Sequence, residues 1–584
     1  MIRRSIPLLL LLGILSGSLR TGAQNVVVAP VPPPQPPPRV EASPQDQTEP
    51  PPGTASKPAG PAAYSISGIV VSATNGAPLD RAEVSLSTPG PRGASIATAT
   101  TAENGGFRFD HLQAGRYRLR ASRRGYISAG YQEHEGFFTG VVTGPNLGSS
   151  GLRVKLFPTA IVGGVITDDA GEPVAGAQVH LYRQDESSGE MKVVSAGQDD
   201  SDDTGSWEFS HLRAGTYYVA VSATPWYAFR PEPRRDSSGN ALPADQQPRS
   251  PLDVAYATTF YENAPDSDSA APIQVNAGDH EEINFSLHAV PALHIQIRMA
   301  GAGEGRGVPM PQVMQPAFSG EFYPQTTWRS TSDSGGPTVV ELNGLAPGNY
   351  VLRESREAGE GNRAVSVDFT ADQSLDLSAA VGGVDVSGKV TMLSGDPLPA
   401  RTNVVLAPAG NGVSVNTPTR VEADGRFDFR FVAPGSYDFQ VHAPGSSLSV
   451  AQIATSGGEA HGSRITVGSE AVLIAATVAS GTTTINGYAR QNGQPLGGAM
   501  ILLVPRDPSA SQDLDRRDQS NTDGSFTLNH VIPGSYTLVA IEDGWTLEWA
   551  KPEAIAPYLA HGIRIQVTGQ KTMNLPSAVE VQTR

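Results

Sequence analysis

The sequence predicts an all-β chain: a tandem array of about five antiparallel β-sandwich domains after a disordered Pro-rich linker. Three observations predict it. Apolar side chains alternate with polar ones over short runs, the period of a strand with one buried face. Turn-formers are in excess, with Gly 63 and Pro 48 of 584 residues, about 19%, against a usual sum of about 12%. One turn motif returns about every hundred residues, the size of one β-sandwich domain.

The elements follow in chain order. Arg3 and Arg4 precede a mostly apolar stretch from Ile6 to Leu19, and Thr21-Gly22-Ala23 puts small residues at −3 and −1. Residues 1–23 therefore read as a secretory signal, cleaved after Ala23 or alternatively after Gln24. The stretch is shorter than the roughly 20 residues that span a bilayer. No second candidate span follows, so no transmembrane segment is expected after signal cleavage. Residues 24–63 hold Pro32-Pro33-Pro34 and Pro36-Pro37-Pro38. Such a run favours an extended spacer with no core of its own.

The recurring motif is a small residue or Pro, then Gly-x-Tyr: Gly115 to Tyr117, Gly215 to Tyr217, Gly348 to Tyr350, Gly435 to Tyr437 and Gly534 to Tyr536. Upstream of four of these lies a turn glycine, Gly105, Gly205, Gly425 or Gly524. Two residues after it comes a large aromatic: Phe107, Trp207, Phe427 or Phe526. Period two makes these aromatics core residues, and the turn before them fits a hairpin whose Gly takes positive φ. Each unit opens on a glycine, Gly68, Gly164, Gly388 or Gly487. Closing hairpins are expected at Gly278 and Gly569. The predicted domains are 64–158, 159–290 with a long insertion, 291–381 in degenerate form, 382–480 and 481–584. Their structural residues are Phe107, Trp207, Phe427 and Phe526, with Tyr117, Tyr217, Tyr350, Tyr437 and Tyr536 as tyrosine corners.

This unit resembles the carboxypeptidase regulatory-like domain, and the likeness runs from Tyr64 to about Pro576, faint in the third unit. The resemblance implies a transthyretin-like (prealbumin-like) sandwich of the carbohydrate-binding-like fold. It also implies an array protein like those of environmental bacteria. It implies no peptidase, since every diagnostic residue is structural, and fold alone is a weak warrant for function.

Composition narrows the chemistry. Cys is 0, which excludes disulfides, thiolate metal sites and cysteine nucleophiles. With 42 Lys+Arg against 58 Asp+Glu the net charge is −16, which argues against nucleic acid as a partner. No zinc carboxypeptidase motif, nucleophile elbow or phosphate loop is present. No catalytic residue and no cofactor is therefore assigned. Asp200, Asp202 and Thr204 partly match a calcium loop, oxygens at alternate positions before Gly205. His111, His211 and His530 share one repeat position. Arg108, Arg118 and Arg120 are expected on one outward face, extended by Arg123 and Arg124. Trp226, Tyr227, Trp545 and Trp549 lie outside the repeated core, where flat aromatics serve as platforms for sugar rings.

The expected function is an exported, non-enzymatic binding protein of the cell envelope or exterior, periplasmic, surface-bound or secreted. Its expected partners are polysaccharide or other envelope components. A scaffold without ligand, and an accessory protein or hydrolase using scattered carboxylates, are the alternatives.

Overall fold

The computed structural model describes residues 64–90, 93–229, 234, 237, 250–299, 311–318, 320–324, 326–332, 338–354, 363–377, 383–409, 418–507 and 512–584. The signal and the Pro-rich linker lie outside the described residues. All described residues belong to one compact unit, Ala59–Arg584. Within it, hydrophobic clusters gather around residues 66–156, 160–289, 293–377, 386–478 and 479–581. These are called modules 1 to 5. The predicted core aromatics fill them: Phe107 is 6% exposed, Trp207 4%, Phe427 4% and Phe526 1%. Among the described residues the only α-helix is Pro552–Leu559.

Modules 1 to 4 each face two sheets across such a core. In module 1, Tyr64–Ser72 lies between Gly106–Leu112 and Leu152–Leu156, while Glu83–Ser87 lies between Ser95–Thr100 and Gly115–Ser122. Alternation drives this, since one face of each strand is apolar: Phe107, Phe109 and Leu112 point in, Arg108 and Asp110 out. In module 5, Val579–Gln582 pairs in parallel with both Thr483–Gln491 and Gly534–Ile541, which joins the two sheets into one of nine strands.

The turn glycines adopt left-handed φ, +71° at Gly105, +76° at Gly205, +90° at Gly425 and +78° at Gly524. They do not make hairpins. Ser95–Thr100 pairs with Glu83–Ser87, and Gly106–Leu112 pairs with Tyr64–Ser72 in the opposite sheet. The turn is an arch between sheets. Asn104 Oδ1 accepts from the Gly106 amide (2.9 Å), and Gly105 C=O accepts from Val70 N–H (2.8 Å). The expected closing hairpins are arches too. Ile273–Val275 pairs with Gly215–Ser222, but His280–Glu282 pairs in parallel with Ala160–Asp168. Ile563–Val567 and Thr572–Asn574 separate in the same way. Alternation reports which face is buried, not which sheet a strand joins.

The opening glycines have a steric cause. A Cβ on Gly388 would stand 2.1 Å from Ile474 C=O and 2.8 Å from Phe427 Cζ; on Gly68, 2.2 Å from Leu152 C=O and 2.9 Å from Phe107 Cζ. The core aromatic lies over a bare backbone beside the module's closing strand. That closing strand runs parallel to the opening one in every module.

All five tyrosine corners form. Each phenol donates to a backbone carbonyl four residues upstream: Tyr117 to Gln113, Tyr217 to Arg213, Tyr350 to Ala346 and Tyr437 to Ala433, each 2.8 Å, and Tyr536 to Ile532, 2.9 Å. Module 3, the degenerate unit, keeps its corner and folds as two four-stranded sheets.

Candidate functional site

The four aromatics expected to meet ligand divide into two kinds. Trp226 is 79% exposed, on the loop after Gly215–Ser222, with Tyr227 edge-on at 89° and 5.7 Å. Phe229, three residues further along the same loop, is 59% exposed, and its amide donates to Leu252 C=O (2.8 Å). Trp545 and Trp549 are 6% and 9% exposed. Their faces are occupied, so neither is an open platform. Trp545 stacks on His134 of module 1 (5.2 Å, 3°) and packs on Phe137 (5.4 Å), and its Nε1 donates to Gly498 C=O (3.1 Å). Trp549 lies under the Arg517 guanidinium (4.7 Å) and against Gly189 of module 2. Trp328 packs against the module 3 core.

These two tryptophans belong to a junction that the sequence does not reveal, where module 5 meets modules 1 and 2. Gln519, 1% exposed, donates from Nε2 to Gln132 C=O and Thr139 Oγ1. Asn521 Oδ1 accepts from the Gly140 amide (3.1 Å), and Thr522 Oγ1 from the Val142 amide (2.9 Å). Arg517 pairs with Glu135 at 2.8 Å, their side chains 12% and 18% exposed, and donates to Ser187 C=O of module 2 (2.7 Å). One guanidinium therefore holds three modules. Modules 2 and 3 are linked by His294, whose Nε2 lies 2.6 Å from Asp253 and whose Nδ1 lies 3.7 Å from Glu341. Glu341 and Asp253 together raise its pKa to about 8, against the opposing effect of burial.

The remaining candidates are placed as follows. Asp202 Oδ1 accepts from Thr204 N (2.8 Å), Thr204 Oγ1 (2.7 Å) and Ser206 N (2.9 Å), a capped turn. Thr204 above all, then the Ser206 amide, holds its carboxyl below the usual range. Asp200 pairs in the strand Lys192–Asp200 with Gln178. Among the described residues no group of three or more acidic or histidine side chains is placed to hold a metal ion.

The expected basic face is divided. Arg108 is in the sheet of Tyr64–Ser72, Arg118 and Arg120 in the opposite one. Arg108 pairs with Asp110 (2.7 Å), Arg120 with Glu133 (3.7 Å) and Arg123 with Asp80 (2.9 Å), while Arg118 lies over Phe138 (4.4 Å). His111, His211 and His530 have φ of 59°, 60° and 57°, each where the strand register slips by a bulge. Histidine is among the few non-glycine residues enriched in that conformation. The repeated His is thus a backbone device.

A cavity of about 500 Å³ opens between modules 4 and 5, walled by the helix Pro552–Leu559 and Trp549. That volume is in the range of small-molecule sites, about 300–1,000 Å³. Its polar lining includes Asp438, Arg464, Arg506 and Asp515. Asp438 and Arg464 pair with each other at 3.0 Å. Burial pushes the Asp515 carboxyl up to about 7, against the nearby Arg516 charge.

The carboxypeptidase regulatory-like domain family matches residues 65–136, 161–239 and 385–468. No curated protein matches the sequence. Solved structures with similarity include the Bacillus anthracis TIE protein, 10% identical over 72% of this chain and 75% of that one, with a TM-score of 0.16. The minor pilin GBS52 of Streptococcus agalactiae is 11% identical over 42% and 100%, TM-score 0.20. The shaft pilin SpaA of Lactobacillus rhamnosus GG is 12% identical over 38% and 96%, TM-score 0.16. At such scores these likenesses bear no weight for what the chain does.

Proposed function

We propose, from the premise that three segments of this chain are carboxypeptidase regulatory-like domains, that it is an exported, non-enzymatic binding protein of the cell envelope or exterior with carbohydrate as its ligand. The single observation that carries the carbohydrate reading is Trp226, 79% exposed beside Phe229 at 59%. An indole left in water, with a second exposed aromatic three residues on, is apolar surface that packing among the described residues does not explain. Its flat face suits the apolar face of a sugar ring. Export rests on the sequence signal at 1–23. No helix among the described residues is long and apolar enough to cross a membrane. The non-enzymatic reading rests on the absent sequence motifs and on repeats whose shared residues all serve packing.

Affinity electrophoresis in gels cast with polysaccharides tests it. Retention of the full chain, lost on Trp226→Ala, is the expected result. Retention by no glycan would leave the second reading, a scaffold without ligand. That reading is favoured by Trp545 and Trp549, which spend their faces on junctions between modules. Hydrolysis of a glycan, abolished by one Asp or Glu substitution, would replace both with an enzyme.

A further inference from the structure

We infer that the cavity between modules 4 and 5 is a binding site for a small zwitterion with an apolar body, an amino acid or dipeptide with an aliphatic side chain. Three features of the cavity carry this, none of them involving Trp226. First, its size of about 500 Å³ exceeds what one side chain or a single water fills, and lies within the range of ligand pockets. Second, one wall is apolar and rigid: Ile555, Ala556 and Leu559 from the helix Pro552–Leu559, faced by Val504 and Pro505 from Met500–Pro505. An aliphatic body would leave water there.

Third, two groups of opposite sign line the cavity without a hydrogen bond or close ion pair to their side chains among the described residues. The Asp515 carboxyl receives no hydrogen bond, although it lies half-buried between Gln512–Leu514 and Arg516–Gln519. Arg516 and Arg517 act on it only through their charge, which opposes burial without overcoming it. The Arg516 guanidinium donates instead to the carbonyls of His530, Asp513 and Asp515 and to Ser449 Oγ. Burial without a donor is what raises Asp515 to about 7, and a ligand ammonium would relieve that cost. Arg506 is the second group. Its backbone is fixed by the Ser535 carbonyl (2.9 Å), while its side chain is exposed and makes no ion pair or hydrogen bond to another described residue. Asp438 and Arg464, also lining the cavity, neutralise each other. What remains is the half-buried Asp515 carboxyl, the exposed Arg506 guanidinium and an aliphatic wall, with His461 and Asp507 also on the lining. A ligand with an ammonium, a carboxylate and an aliphatic side chain satisfies all three, and a sugar satisfies only hydrogen bonds.

The test is titration calorimetry on the full chain with L-leucine and leucyl-leucine as probes. N-acetyl-leucine lacks the ammonium and leucinamide lacks the carboxylate. Saturable binding of leucine or the dipeptide is expected, weakened about tenfold or more by either cap. Asp515→Asn should weaken the uncapped probes by a similar factor and leave the acetylated one unchanged. Ala556→Trp, at an exposed helix position on the cavity wall, should fill the space and abolish binding without touching the core. Trp226→Ala should have no effect, which separates this site from the carbohydrate reading. No saturable binding of either probe up to about 10 mM would overturn the inference. So would equal binding of the capped compounds, or full affinity in a folded Asp515→Asn or Ala556→Trp chain.

Discussion

Replacing Trp545 with Ala separates a structural wedge from a ligand platform. The side chain is 6% exposed, stacked on His134 at 5.2 Å, packed on Phe137 at 5.4 Å and hydrogen-bonded to Gly498 C=O. Truncating a buried tryptophan costs about 3–5 kcal/mol. Within that sum, each ring pair contributes about 0.5–1.5 kcal/mol beyond area, and the stranded carbonyl adds about 1 kcal/mol. The cost is shared between module 5 and its contact with module 1. Calorimetry of the full chain should therefore show the module 5 transition lowered by 12 °C or more, at about 4–8 °C per kcal/mol for a domain of this size. Hydrogen exchange should show the module 1 segment 130–140 losing protection in parallel. A double-mutant cycle with His134→Ala should return a coupling of about 1 kcal/mol. A Trp545→Ala chain that keeps both transitions and the protection of 130–140 would refute the wedge. Loss of retention on a glycan gel with unchanged stability would refute it more sharply, in favour of a ligand platform.

Four further outcomes are expected. Arg517→Ala removes one partner of a partly buried pair and its charged hydrogen bonds, and should cost about 1.5–3 kcal/mol, read as proteolytic opening of the junctions with modules 1 and 2 together; opening of one alone would deny the shared pin. Gly388→Ala drives a Cβ to 2.1 Å from Ile474 C=O and should destabilise module 4 by at least about 1–3 kcal/mol in urea; a neutral result would mean the opening strand slides freely. Tyr536→Phe deletes the bond to Ile532 C=O and should cost module 5 about 1 kcal/mol, detectable as a lower midpoint with unchanged slope. His294 titrates near 8 in the folded chain against about 6.5 unfolded. Its raised pKa stabilises fully below about pH 6.5, and that contribution, about 2 kcal/mol, is lost as pH rises through about 8. Melting of the module 2–3 junction should follow that window and flatten in His294→Gln.

The fold was legible where one strand's own alternation decides the outcome. Phe107, Trp207, Phe427 and Phe526 are buried because period two puts them on the inner face. The left-handed φ of Gly105 was legible too, since the arch demands it locally. Pairing was not. A strand that leaves an arch looks the same in sequence as one that leaves a hairpin, so Arg108 and Arg118 fell in different sheets. Trp226 and Trp545 carry the same residue type outside the repeat, yet one is in water and the other under His134. That difference depends on where module 1 docks, and contacts between residues nearly four hundred positions apart leave no local trace. The shared position of the repeated histidine was legible, but its cause, backbone geometry at a bulge, was not.

The side-by-side parallel run of opening and closing strands in every module has a mechanical consequence. Tension entering through one end of the chain and leaving through the other pulls those two strands in opposite directions along their length. Their ladder bonds are then loaded all at once in shear rather than peeled singly. Under load each module should yield only when a whole ladder ruptures, a resistance that owes nothing to disulfides in a chain with no cysteine.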